Sequence, residues 1–204
     1  QTPGVQAVTS GKKVVAIDVV TKTRETIEQG IDLRVDLRNS LYTLGEHRRV
    51  CDYLCEAEIL AKRIGDQHRE GWISAYKASH FWLSGEPDRV VEPGHHALAV
   101  AQACGDFGLQ VAANFRLGIA YLSLGDYPRA RDCFQSNVES IQGELIRERF
   151  GEAYLPSVQS RIWLVHVLAA RGEFAEGIAR GEEAVRIAET DEHPVSVIAA
   201  YRGL

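Results

Sequence analysis

Three imidazole and thiol side chains lie at a spacing that could bind a metal ion. His47, Cys51 and Cys55 follow one another at four-residue intervals, which would place all three on one face of a helix. Zinc accepts both ligand types, but a tetrahedral site needs a fourth ligand, and no C-x-x-C pair supplies it. Cysteine is also a common small core residue. The sequence therefore predicts no metal site and no bound cofactor.

The remaining reactive side chains do not complete a catalytic or nucleotide-binding motif. Gly4 and Gly11-Lys12 are similar to a phosphate-binding loop, but six residues separate the glycines and Lys13 replaces the required serine or threonine. The sequence contains no H-E-x-x-H or G-x-S-x-G motif, and His80, His95, His96 and His166 have no obvious nucleophile partner nearby in sequence. Catalysis would need a site assembled across distant segments. We therefore expect a binding protein rather than an enzyme.

The overall composition is that of an ordinary globular protein. The 204 residues are 45% hydrophobic and 25% charged, with a formal net charge of −5. A mildly acidic chain without basic clusters argues against a nucleic-acid partner. Its four cysteines, without close pairing, indicate a reducing cytoplasm, and its apolar stretches are too short to span a membrane. The chain begins at Gln1 and has no methionine, so we expect either a processed chain or an excised piece of a longer polypeptide, and we favour the second.

Four glycine turns divide the chain into units. Gly45, Gly85, Gly125 and Gly172 are each followed by an acidic residue, and they are spaced by 40, 40 and 47 residues. Glycine suits the left-handed end of a helix, and the acidic residue suits the first turn of the next helix. Apolar residues at helical spacing flank each turn. Residues 22–193 are therefore predicted to form four helix pairs, at about 22–64, 68–104, 107–142 and 157–190.

The third unit carries the clearest motif, which reads Leu117-Gly118-x-x-Tyr121-x-x-x-Gly125-x-Tyr127-x-x-Ala130-x-x-x-Phe134. Small residues at Gly118 and Ala130 would let two helices approach closely, and the three aromatic residues would fill the spaces between neighbouring pairs. The unit resembles the tetratricopeptide repeat, and the other units keep its frame with fewer matching letters. HEAT repeats share the long period but would not explain this motif. The resemblance implies an all-α, right-handed superhelical solenoid of antiparallel helix pairs with a period of about 40 residues, against the usual ~34.

The two ends of the chain are predicted to be incomplete. Residues 1–21 would form a ragged segment with a helix near 10–21, capped by Thr9 or Ser10. Its valine-rich run could pass for a strand, but a lone strand against a helical stack would have no partner. Residues 194–204 would begin a further, truncated repeat.

An insertion at about 143–156 separates the third and fourth units and contains Arg147, Arg149 and Phe150. Insertions in solenoids often lie on the binding face. Long connections can also be structural, in which case Phe150 would pack locally. The sequence leaves both interpretations open.

Phrases in and after the insertion indicate a more specific family. Residues 148–151, 155–158 and 177–183 resemble the C-terminal repeat regions of certain bacterial regulators. Those regulators join a class III adenylate or guanylate cyclase domain, or a related signalling domain, to an ATPase module and repeats. The resemblance implies a sensory or scaffolding region of a signalling protein whose enzymatic domains lie elsewhere in the parent chain.

The tetratricopeptide resemblance also implies a concave groove lined by the first helix of each pair. On this frame the lining is apolar and aromatic, and its candidate binding residues are Asn39, Tyr42, Trp72, Ser79, Trp82, Leu83, Phe115, Arg116, Ile119, Leu122 and His166. Some such grooves clamp the acidic tails of chaperones. Here Val35, Tyr76 and Ala112 stand where that clamp needs cationic or amide groups, so this function is not expected.

These patterns predict a protein-interaction or scaffolding module. Its groove would bind a peptide, a helix or a neighbouring domain of the same chain, and a homo-oligomer is a further partner to consider. The alternative is a small-molecule effector sensor that uses the same groove. The aromatic residues could also pack as core between repeats.

Overall fold

The computed structural model describes residues 9–10, 13–14, 23–152, 154–191 and 194–203, without the side chains of the four N-terminal residues and of residues 39, 42, 43 and 191. Within this part of the chain the fold is all-α apart from one short hairpin, and nine α-helices pack in consecutive pairs. The helices are α1 (Arg24–Thr43), α2 (His47–Ile64), α3 (Gln67–Leu83), α4 (Val91–Cys104), α5 (Phe107–Ser123), α6 (Tyr127–Ser140), α7 (Pro156–Ala170), α8 (Phe174–Asp191) and α9 (Pro194–Arg202). None of them is both long and apolar enough to cross a membrane.

The helix expected near residues 10–21 is wrong where the structure describes this segment. Strands β1 (Thr9–Ser10) and β2 (Lys13–Val14) form an antiparallel pair, with Thr9 opposite Val14. A helix is expected here only if a strand would lack a partner, and the two short strands instead satisfy each other's backbone groups. The rest of residues 1–22 lies outside the described residues.

The chain divides into two compact units, Gln1–Asp66 and Gln67–Leu204. In the first unit α1 packs against α2. Ile31 and Leu41 of α1, and Val50 and Leu54 of α2, are each at most 1% exposed, which gives this pair its own apolar seam.

The predicted glycine turns adopt the expected backbone conformation. Gly45, Gly85, Gly125 and Gly172 all have φ between +72° and +78°, the left-handed region that glycine enters without steric cost. Two further turns of the same kind, at Gly65 and Gly105, join one pair to the next. The positions 45, 65, 85, 105 and 125 show that turns recur every twenty residues, so each helix of a pair has a similar length.

In the second unit each helix packs on the next, and the first helices of successive pairs also touch. Besides the contacts within pairs, α3 contacts α5, α5 contacts α7, and α7 contacts α9. We call α3, α5 and α7 the first-helix row. Within the second pair, a 3-10 turn at Pro87–Val90 lies between α3 and α4, and another 3-10 turn at Gly143–Arg147 follows α6.

Close packing within the third pair depends on the residues of its motif. Phe134 is fully buried, and its ring atoms lie 2.7 Å from where a Cβ at Gly118 would stand. Tyr121 is also buried, and its hydroxyl hydrogen-bonds His95 Nε2 at 2.8 Å. Tyr127, expected to fill a space between pairs, is instead 36% exposed. It occupies the first residue of α6, at the surface turn that follows Gly125.

Candidate functional site

Three aromatic side chains from three helices meet along the first-helix row. The rings of Trp82 on α3 and Trp163 on α7 are 5.9 Å apart and nearly perpendicular, and the Phe115 ring on α5 lies 6.4 Å from Trp163. Edge-to-face contacts of this kind are a favoured geometry for aromatic pairs. We call Trp82, Phe115 and Trp163 the aromatic cluster.

The aromatic cluster packs against a buried core and remains partly exposed. Behind it, the fully buried Phe134 ring stacks on Trp163, with ring centres 6.4 Å apart. The three cluster residues themselves are only partly buried. Leu83, the residue after Trp82, is 53% exposed, and the exposed His166 ring lies 5.5 Å from the Trp163 ring. Aromatic faces that remain accessible in this way are suited to binding an apolar side chain.

Beside the cluster, Arg116 of α5 presents a buried guanidinium to the same row. Its side chain is 6% exposed. Nε donates to Ser79 Oγ on α3 at 2.5 Å, and Nη1 donates to the Ala112 carbonyl at 2.9 Å. Nη2 donates to Glu152 Oε1 at 2.9 Å. Because Glu152 belongs to the insertion, the insertion supplies the carboxylate that neutralises this arginine.

The insertion, at about residues 143–156, contacts α5. The Phe150 ring packs on Phe107 at 5.3 Å, at the first turn of α5, and the Tyr154 ring lies 5.7 Å from Phe115 in the middle of that helix. Phe150 has φ of +50°, an unusual backbone conformation for a residue with a Cβ. Ser157 Oγ also donates to the Ile146 carbonyl at 2.6 Å and ties the insertion to α7. Phe150 thus packs locally, as one of the two interpretations of the sequence predicts, while Glu152 and Tyr154 reach the aromatic cluster and Arg116.

Burial and nearby charges fix the protonation of the polar groups at the site. Burial, and then the Glu152 carboxylate, raise the pKa of the Tyr154 hydroxyl well above its usual value, so it remains a neutral donor. Burial alone would lower the pKa of Arg116, but the charge of Glu152 raises it, so Arg116 stays cationic. Desolvation of the His166 ring, and then the charge of Arg202, lower its pKa, so it is neutral at pH 7.

Several other sequence-predicted residues do not join the aromatic cluster. Trp72 donates from Nε1 to Asp106 Oδ2 at 3.0 Å, and this aspartate also bonds His68 and caps α5. Ile119 is 2% exposed and belongs to the core, while Leu122 is partly buried against the same core. Asn39 and Tyr42 lie on α1 in the first unit, and their side chains are outside the described residues. In the insertion, Arg147 is exposed and Arg149 is partly buried.

Sequence reasoning missed Trp163, Glu152 and Tyr154. The register of the repeats could have indicated Trp163. It lies nine residues before Gly172, as Tyr76 lies before Gly85 and Arg116 before Gly125. Trp163 therefore occupies the same register position as Arg116. Glu152 and Tyr154 have no comparable signal, since the insertion has no equivalent in the other units.

The site combines three aromatic rings, one buried guanidinium and a neutral phenol, which are groups that bind and orient a ligand. Among the described residues, no three His, Cys, Asp or Glu side chains are placed to hold a metal ion, and none of the four cysteines, all of which are described, is in a disulfide bond. Comparison with known proteins adds no assignment: no protein-family model matches the chain, and no curated protein matches it significantly.

Proposed function

We propose that this chain is a peptide-binding module whose site is the aromatic cluster on the first-helix row. The observation that carries the proposal is that Trp82, Phe115 and Trp163 converge from three helices while remaining partly exposed. Large aromatic side chains that converge at a surface dominate the binding energy of protein interfaces. A partner segment would place an apolar side chain against these rings.

We assign the module to the tetratricopeptide type, as a right-handed superhelix with a period of about 40 residues. The consecutive pairing of helices, the positive-φ glycine turns and the close contact of Gly118 with Phe134 support this assignment. The contacts among α3, α5 and α7 fit a stack in which the first helices line the inner face. The partner would be another protein or another domain of the same parent chain.

The resemblance of residues 148–151, 155–158 and 177–183 to bacterial cyclase and ATPase regulators supports a cytoplasmic signalling context. In such a protein the repeat region would scaffold or regulate enzymatic domains rather than catalyse a reaction itself. The mixed apolar and cationic chemistry of the site fits a protein segment, since a peptide can present an apolar and an acidic side chain together.

The proposal is tested by selecting peptides from a displayed library and measuring their affinity for purified variants by fluorescence anisotropy. Trp82→Ala and Trp163→Ala should each weaken binding by at least about tenfold, while the circular dichroism spectrum stays nearly unchanged. Trp72→Ala is the matched control, because Trp72 lies on the same helix but bonds Asp106 instead of joining the cluster. Its affinity should remain within about threefold of wild type.

Equal losses for Trp72→Ala and Trp82→Ala would contradict the site. A stability loss without any binding defect would show that the aromatic cluster is only core. If no peptide binds but apolar small molecules raise the melting temperature of the wild type and not of Trp82→Ala, the effector-sensor alternative holds instead.

A further inference from the structure

Part of the proposed site is already filled by the protein's own chain. Glu152 bonds Arg116, and Tyr154 lies on Phe115, so the insertion contacts both the cationic and the aromatic component of the site. Neither residue belongs to a helix pair. The insertion connects α6 to α7, and it contacts the first-helix row where we propose that a separate peptide binds.

The environment of Arg116 shows what kind of group it selects. Its Nε and Nη1 are held by Ser79 and Ala112, which leaves Nη2 directed at an incoming acceptor. A guanidinium that is 6% exposed needs a carboxylate, because a buried cation without a counter-charge is strongly destabilising. The adjacent Phe115 ring adds a preference for an aromatic side chain close to that carboxylate.

We propose that the insertion occupies the binding site in cis and that the partner is a peptide with a carboxylate residue two positions before an aromatic residue. Glu152 and Tyr154 have this spacing. The inference rests on the proposed function, because it names the ligand chemistry and the regulation of the same site. Binding a partner then requires displacement of Glu152 and Tyr154 from Arg116 and Phe115.

Tethering makes the insertion a strong competitor. A segment joined by short connections acts at an effective concentration of about millimolar, so a free peptide at micromolar concentration cannot displace it unaided. The positive φ of Phe150 partly offsets this advantage, because a residue with a Cβ is strained in the left-handed region. Weak ligands therefore do not displace the insertion. A partner displaces it if the partner also binds additional surface or weakens the contacts of the insertion with the site.

The test uses the full 204-residue chain and a fluorescein-labelled peptide of residues 148–156. Wild type should bind this peptide weakly. The double variant Glu152→Ala, Tyr154→Ala should bind it at least about tenfold more tightly, because the peptide replaces the side chains that were removed. Adding Arg116→Met to the double variant should abolish that gain. Peptides carrying Glu152→Gln or Tyr154→Ala should also lose about tenfold in affinity.

The matched control is Glu144→Ala, Leu145→Ala, which changes two exposed residues of the same insertion and should behave like wild type. A folded Glu152→Ala, Tyr154→Ala variant that does not bind the peptide, or binds it independently of Arg116, would overturn cis occupancy. If this variant does not fold, Glu152→Gln alone is measured in the same way, and an unchanged peptide affinity overturns the proposal equally.

The outcome separates this inference from the proposed function. Library peptides that depend on Trp82 but ignore the Glu152 and Tyr154 substitutions would leave the peptide-binding function intact and remove cis occupancy. Failure of both the library peptides and the insertion peptide would reject both.

Discussion

Arg116 and Arg161 are buried arginines within residues 67–204. Each forms an ion pair with one carboxylate, which compensates its buried charge. Arg161 of α7 is fully buried, with Nη2 2.8 Å from Glu183 Oε1 on α8. Arg116 has the corresponding arrangement with Glu152. Removing one partner from such a buried pair is far more costly than the net contribution of the intact pair suggests, because it strands the other charge. Both pairs therefore constrain which carboxylates can be changed.

The Glu183–Arg161 pair gives a prediction about pH. Burial would raise the pKa of Glu183, but its hydrogen bond with Arg161 and the charge of Arg161 lower it below 4.5. A carboxylate with a lowered pKa in the folded state stabilises the protein above its unfolded pKa and loses that effect as the pH falls through the folded pKa. Glu183→Gln should therefore lower the free energy of unfolding by about 1–3 kcal/mol at pH 7, and this difference should shrink below about pH 4.5.

Urea denaturation at pH 7 and pH 4 measures the difference. Glu182→Gln is the neighbouring control, because Glu182 is mostly exposed and its contact with Arg186 is 4.0 Å long. The control should change stability by less than about 0.5 kcal/mol at either pH. If Glu183→Gln changed the free energy of unfolding equally at both pH values, the charge of Glu183 would not contribute to stability.

At the scale of the helices, the third pair depends on the fit of one ring to one glycine. The Phe134 ring occupies the space that a side chain at Gly118 would need, and it also stacks on Trp163 of the next pair. Elsewhere Leu117 fills the corresponding space beside Gly94, with a side-chain atom 2.7 Å from where a Cβ would stand. Small residues on one helix and large ones on its neighbour thus set how closely the helices approach.

Changing either partner of the Gly118–Phe134 contact should destabilise the protein. Phe134→Ala removes a fully buried ring and should cost about 3–5 kcal/mol. Gly118→Ala should also destabilise, because overpacking costs about 1–3 kcal/mol and three atoms of the Phe134 ring lie within 3.0 Å of the new Cβ. Thermal denaturation followed by circular dichroism measures both changes.

Gly177→Ala is the control for helix propensity. Its nearest neighbour would lie 3.8 Å from the new Cβ, so alanine should fit and stabilise α8 by roughly 0.5–1 kcal/mol. If Gly118→Ala raised the melting temperature as Gly177→Ala does, or if Phe134→Ala left it unchanged, the packing register of the third pair would be incorrect.

At the scale of the whole molecule, residues 67–204 contain a set of apolar clusters made entirely from their own helices. One cluster contains buried residues of α5, α6 and α7. A second contains residues of α3, α4 and α5, and a third contains residues of α7, α8 and α9. The boundary of this unit falls at Asp66 and Gln67, directly after the left-handed Gly65. A unit with its own buried core is expected to fold independently.

The fragment 67–204 should therefore fold without the first 66 residues. We expect a helical circular dichroism spectrum, a cooperative thermal transition, and binding of Trp82-dependent peptides within about threefold of the full chain. The fragment 87–204, which lacks α3, is the comparison, because it removes Trp82 and Ser79 from the site. A fragment 67–204 that is unfolded or aggregated would contradict the division of the chain into these units.

The helical class of the fold and the glycine turns between helices could be predicted from the sequence alone. These features are local: a glycine that enters the left-handed region at Gly45 or Gly125, and apolar residues at helical spacing on either side, act within a few residues of one another. The pairing of strands Thr9–Ser10 and Lys13–Val14 was missed because strand pairing depends on a second segment, which a helical pattern does not reveal.

Which side chains form the site depends on the tertiary packing of the helices and the insertion. Trp82, Phe115 and Trp163 come from three helices, and whether they meet depends on the rotation of each helix about its axis and on the large and small residues between them. The pairing of Glu152 with Arg116 depends on the path of an insertion that follows no repeat. The spacing of residues along the chain predicts neither the convergence of the three rings nor the pairing of Glu152 with Arg116, because both result from packing between segments distant in sequence.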